Sequence, residues 1–196
     1  MTSFIRRLSL LLIASASLAS TPAWAARDVR GVKFADTSTV AGQALQLNGA
    51  GARVKVIIDV YAAGLYLPRR EASVPAILDM SGPKSVQIVL LRELTGEDFA
   101  DAMVKGFRKN NSDADVARFQ SRLDTIRSTM LGFGTVKKGT SIQLNFQPGS
   151  GTRTLVDGAQ KGADIPGEDF YGALLKIWLG HSPVDGSLKD DLLRAQ

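Results

Sequence analysis

The stretch Leu47-Asn48-Gly49-Ala50-Gly51-Ala52-Arg53-Val54-Lys55-Val56-Ile57-Ile58-Asp59-Val60-Tyr61-Ala62-Ala63-Gly64-Leu65-Tyr66-Leu67 decides how the rest of the chain is read. A Gly-rich turn, Asn48 to Gly51, delivers Arg53 into a run dense in Val, Ile and Tyr, residue types that favour strands. An unpaired guanidinium is costly to bury. Arg53 should therefore reach water, pair with one of the chain's own carboxylates, or hold a ligand's negative group. Tyr61 follows eight residues later, with no turn signal between Val54 and Val60. On a straight strand of roughly 3.3 Å per residue the two would stand about 26 Å apart, too far to share one carboxylate. Two alternatives stand: a bend near Asp59 brings them together, or Arg53 serves something else.

Outward from this stretch the pattern alternates between strand and helix. Before it, Val29, Val32, Phe34, Ala44 and Leu45 read as short strands; after it, Val74 to Met80 reads as a turn or two of helix and Lys84 to Arg92 as a buried strand. Thr95 is a suitable helix N-cap, with Glu97 and Asp98 in the first turn and Phe99, Met103 and Phe107 recurring on one face. Beyond the turn Asn110-Asn111-Ser112, a second helix presents Val116, Phe119, Leu123, Ile126 and Met130. Two adjacent amphipathic helices need apolar surface to cover, and a sheet supplies it. Gly139 to Gln147 and Thr152 to Val156 alternate as hairpin partners across Pro148-Gly149-Ser150-Gly151, and Asp157-Gly158 is another turn. Pro166 opens a helix carrying Phe170, Leu174, Ile177 and Trp178 and closed by Gly180; a last short helix covers about Leu188 to Arg194.

Residues 1–25 read as a secretory leader: Arg6-Arg7, then an apolar segment from Leu8 to Leu18, then Ala23-Trp24-Ala25 as a small-x-small cleavage site. The expected mature chain is residues 26–196, one domain, exported to the periplasm. Its apolar leader segment is too short for a membrane span, and no other segment approaches spanning length. Loss of Arg6 and Arg7 lowers the formal charge from +5 to +3, which gives nucleic-acid binding little support. With no cysteine and one histidine, the chain has no disulfide, no thiolate site and no common zinc site. No cofactor or metal is expected.

Other candidate sites give way to plainer roles. His181 stands just beyond a helix end, where the helix dipole favours a cation. No serine sits in a G-x-S-x-G elbow, and Gly149-Ser150-Gly151 lies between strands. Gly134 to Thr140 lacks the lysine and the following helix that a phosphate loop needs.

Several separated motifs, in order, resemble the chalcone isomerase-like superfamily. They are Asn48 to Arg53, Val60 to Tyr66, Leu91-Arg92-Glu93-Leu94-Thr95-Gly96, and Leu179-Gly180 through Leu188-Lys189. The resemblance implies an α+β fold, an open-faced β-sandwich with a large antiparallel sheet, helices layered on one face and a ligand cleft between. It aligns Arg53 with the arginine that stabilises the enolate in true chalcone isomerases. The family's catalytic threonine falls at Tyr61, its tyrosine at Phe99, its asparagine at Gly106 and its late threonine at Ile177, so the polar set that orients substrate is lost. A non-catalytic branch of the superfamily binds fatty acids through the arginine and a tyrosine that Tyr61 matches. In that reading Arg53 and Tyr61 hold a carboxylate, while Phe99, Ile177 and Trp178 line an acyl tunnel.

The expected function is accordingly a periplasmic, non-enzymatic binding protein that takes a small amphipathic acid, such as a fatty acid, near Arg53. Two alternatives stay open: an isomerase or intramolecular lyase in which Arg53 stabilises an enolate, and a scaffold that binds a partner without a ligand. The sequence leaves the oligomeric state undetermined.

Overall fold

A computed structural model describes residues 26–194 of the chain; the expected leader lies outside the described residues. The chain opens with a hairpin of β1 (Arg27–Val29) and β2 (Val32–Phe34), followed by β3 (Thr37–Val40), the long β4 (Gln43–Lys55) and β5 (Ile58–Leu67). Then come α1 (Val74–Asp79), β6 (Lys84–Leu90), β7 (Leu94–Thr95), α2 (Gly96–Asn110), α3 (Asp113–Leu131) and β8 (Thr135–Val136). The chain finishes with β9 (Ser141–Gln147), β10 (Gly151–Val156), β11 (Ala159–Ile165), α4 (Glu168–Leu179) and α5 (Gly186–Leu192).

Seven strands form one antiparallel sheet in the order β11-β10-β9-β6-β5-β4-β3. β6 and β9 are neighbours in the sheet although α2 and α3 separate them in sequence, so that connection lays two helices across one face. Alternate side chains of the central strands point there: Tyr61, Ala63, Leu65 and Leu67 of β5, Val86, Ile88 and Leu90 of β6, and Ile142, Leu144 and Phe146 of β9. They share one core cluster with the buried apolar residues of all five helices, including Phe107, Phe119 and Phe170, whose rings meet at centroid distances of 5.7–6.2 Å. Ala62 and Tyr66 point the other way, into a smaller cluster with Phe34, Val40, Leu45 and Leu47 that β1 and β2 help close. There the Tyr66 hydroxyl donates to the Ala35 carbonyl at 3.1 Å. The architecture is the α+β arrangement expected from the sequence, a large antiparallel sheet with helices layered on one face.

Local signals explain most boundaries. Thr95 caps α2 as anticipated, its hydroxyl accepting from the Asp98 N–H at 3.0 Å, and Ser112 caps α3 through the Asp115 N–H at 3.1 Å. Five readings need correction. The Gly-rich segment Asn48 to Gly51 is not a turn, because β4 continues through it with a register shift at Asn48. The apolar run after Arg53 is two strands rather than one. After Asp157-Gly158 the chain forms β11, a mostly exposed edge strand that the sequence pattern did not show. α4 begins at Glu168, with Gly167 as its N-cap, and the last helix begins at Gly186 rather than Leu188.

Candidate functional site: the cleft beside Arg53

β4 and β5 are joined by a two-residue turn, Val56-Ile57, which leaves Lys55 opposite Ile58. The bend lies two residues before the expected position at Asp59, and a register shift between Arg53 and Val54 sets Arg53 directly across from Tyr61. The 26 Å separation of a straight strand is thereby replaced by a cross-strand pair. The guanidinium carbon of Arg53 stands 5.5 Å from the centre of the Tyr61 ring, close enough for a cation–π contact.

The Gly-rich segment has a different task from the one its composition suggests. A Cβ at Gly49 would run into the backbone carbonyls of Asp191 and Leu192, and one at Gly51 would strike the Asp191 side chain. The two glycines therefore form a seat for the C-terminal end of α5. Asn48 fastens that end, its Nδ2 donating to the Leu192 carbonyl at 2.8 Å and to the Glu71 carbonyl at 2.9 Å. At the other end of the helix, Asp185 accepts from the Leu188 N–H as N-cap and from the Val54 N–H at 2.9 Å. α5 thus grips β4 at both ends, and the second grip falls on the residue after Arg53.

Tyr61 is buried. Its hydroxyl accepts a hydrogen bond from the Trp178 Nε1–H at 2.9 Å, and its own proton has no acceptor among the described residues. Burial pushes the phenol above its ordinary pKa, against the opposing pull of the Arg53 charge and the Trp178 N–H. Tyr61 is therefore a neutral donor across the physiological range. Arg53 is half-buried and forms no ion pair among the described residues.

Arg53 opens onto a cleft of about 460 Å³, walled by the end of β4, one side of α2 and the segment Ser182-Pro183-Val184. That volume falls in the range of roughly 300–1,000 Å³ usual for small-molecule sites. Its charged lining is Arg53, Lys55, Lys105 and Lys109 against Asp98 and Asp101. Both acids are engaged: Asp98 in the cap of α2, where hydrogen bonds from Thr95 hold its carboxyl below the usual range, and Asp101 with Arg127 at 3.4 Å. Lys105, Lys109 and Asp185 were not among the expected site residues, and Lys109 reads from the sequence as solvated surface at a helix end. The first two are four residues apart, a spacing that places them on one helical face, and Asp185-Gly186-Ser187-Leu188 carries an N-cap signal.

The structure brings Arg53, Tyr61 and Trp178 together and keeps Phe99 and Ile177 in the same core cluster. Tyr61, Phe99, Ile177 and Trp178 are buried there, and of the expected site residues Arg53 alone lines the cleft. The uncharged lining of the cleft instead includes Val54, Ala102, Gly106 and Val184. His181 is exposed just past the end of α4.

A model of chalcone isomerase-like proteins matches residues 26–194. The chain belongs to the chalcone isomerase-like family. Among solved structures it is similar to a fatty-acid binding protein of Arabidopsis thaliana, with a TM-score of 0.64 over 84% of this chain and 92% of that one, at 18% identity. No curated protein sequence matches it. At that identity the structural likeness speaks for the fold. Gly106 is where α2 presses on the helical layer. A Cβ at Gly106 would lie 2.9 Å from Ile177 Cγ2 and 3.4 Å from Val184 Cγ1. Ile177 occupies that space with hydrocarbon.

Proposed function

We propose that this chalcone isomerase-like protein is a non-catalytic binding protein that holds the anionic head of a small amphipathic acid, such as a fatty acid, beside Arg53, and that it works after export, in the periplasm. One observation carries the reading: a half-buried arginine without a carboxylate partner faces, across one strand pair, a buried phenol whose proton has no acceptor. A guanidinium fork and a neutral hydroxyl donor are complementary to a carboxylate, which offers lone pairs and no proton. The solved fatty-acid binding protein of like fold agrees in kind with this reading. The isomerase alternative has less support, since a phenol kept protonated is a poor general base and the family's other polar positions are apolar here or glycine.

The mature protein purified from its native compartment should carry a stoichiometric amphipathic acid, identified by mass spectrometry after denaturation. Delipidated protein should bind added fatty acid with a change in Trp178 emission, because that indole is bonded to Tyr61. Arg53→Ala should remain folded and lose both. An empty protein that ignores fatty acids would overturn the reading, and turnover of an enone substrate abolished in Arg53→Ala would favour the enzyme.

A further inference from the structure

The tip of the β4–β5 hairpin is built against two ordinary rules. Val56 and Ile57 are 91% and 90% exposed and Ile58 is 48% exposed; they are the three large apolar residues most exposed to solvent among those described, ahead of Leu131 at 39%. Val56 also sits at φ +62°, the left-handed region that a β-branched side chain adopts only under strain. Glycine or asparagine there would remove the strain, and polar residues would remove the exposure. The tip therefore gains nothing for the folded monomer from its three aliphatic side chains, and their contribution has to be sought in something outside it.

We infer that this tip is a lipid-surface anchor: it dips into the interfacial region of an anionic bilayer and sets the mouth of the Arg53 cleft against the membrane. Shape favours lipid over protein. Three side chains at the end of a two-strand ribbon form a narrow convex point, far short of the roughly 800 Å² per partner that a stable protein interface or dimer buries. Such a point can enter the headgroup boundary, where no complementary pocket is required. Charge favours an anionic lipid. Lys55 adjoins the tip, and Lys105 and Lys109 share the cleft with it and with Arg53. None of the four is in an ion pair among the described residues, whereas the nearby acids Asp59, Asp98 and Asp101 are paired with Arg30, capping α2 and paired with Arg127, respectively. Cations flanking an apolar point are drawn to phosphatidylglycerol-type headgroups. Arg53 and Val54 stand just before the tip, on the strand that leads into it, so an amphipathic acid leaving the bilayer would meet the cleft within a few residues of the anchor.

The test is flotation of the mature protein with vesicles of phosphatidylglycerol and phosphatidylethanolamine in equal parts, compared with pure phosphatidylcholine. The unmodified protein should float with the anionic vesicles, weakly with the neutral ones, and less as salt is raised to about 0.5 M, where screening shortens the reach of the lysines. The double substitution Val56→Gly with Ile57→Ser suits a turn with positive φ at its first position, so it should melt no lower than the parent. It should cut recovery on anionic vesicles at least tenfold. Equal recovery of parent and variant would overturn the inference. So would absence of vesicle binding together with a dimer that the double variant abolishes, which would assign the tip to a second copy of the chain. Fatty-acid titration of the same two proteins without vesicles should give equal affinities, so a failed cleft and a failed anchor give different results.

Discussion

Arg53 can be altered without unfolding the protein, because it is half-exposed and its contact within the site is the face of the Tyr61 ring. Arg53→Ala should weaken carboxylate binding at least tenfold while changing the unfolding free energy by less than about 1 kcal/mol, the order of a lost cation–π contact; calorimetric titration and urea melts measure the two separately. Tyr61→Phe behaves differently. It removes the acceptor of the buried Trp178 N–H and should cost about 1–3 kcal/mol in a urea melt. Carboxylate binding should be flat from pH 6 to 9 and should fall on acidification as the ligand's own carboxyl takes up a proton, around pH 4–5 for an ordinary carboxyl group. Because burial raises the Tyr61 pKa, the alkaline limb should not begin at the usual phenol value. The identity of this pair was legible in the residues and in the family resemblance. Their distance was not, because the turn that closes it is made of Val and Ile and carries none of the Gly, Asn or Pro by which turns announce themselves.

Among the elements, α2 and α3 were legible because their apolar residues recur at helical spacing and capping residues mark both starts. β11 was not. Its sequence Ala159-Gln160-Lys161-Gly162-Ala163-Asp164-Ile165 has no alternation, since an exposed edge strand buries little and needs none. It is held through the paired fork of Arg153 on Asp164, with Nε to Oδ1 at 2.9 Å and Nη2 to Oδ2 at 2.6 Å. The Arg153 bonds keep the Asp164 carboxyl below its ordinary pKa. Their stabilisation is thus present above the usual Asp range near 4 and is lost as pH falls through the lower folded value. Asp164→Asn should speed amide exchange in β11 at neutral pH and leave the central strands protected. At the α2–α4 contact, Gly106→Ala should destabilise by about 1–3 kcal/mol from crowding on Ile177, less the smaller gain in helix propensity. The Ile177→Ala change should recover the crowding part of that loss in a double-mutant cycle, because it removes the Cγ2 that the new methyl meets.

For the whole molecule, buried phenols govern the alkaline limit. Burial pushes Tyr66 up to about 12 and raises Tyr61 and Tyr171 as well. The folded state holds these protons where the unfolded chain has begun to lose them. Stability should therefore be level from pH 7 to 10 and then fall, by about 1.4 kcal/mol per pH unit for each such group, until the folded values are reached; urea midpoints from pH 8 to 11 measure this. At this scale the fold class was legible through motifs set far apart in the chain, whereas strand order was not, since no local pattern tells β6 that its neighbour lies beyond two helices. The grip of α5 on β4 has a consequence for how the molecule is made. The bonds that fasten β4 to α5 join residues 131 and 144 positions apart, and contacts so remote in sequence form slowly. The arginine enters the nascent chain in its first third, yet its strand is not clamped until nearly the last residue has been added. An incomplete chain can hold much of the sheet and still lack a finished site.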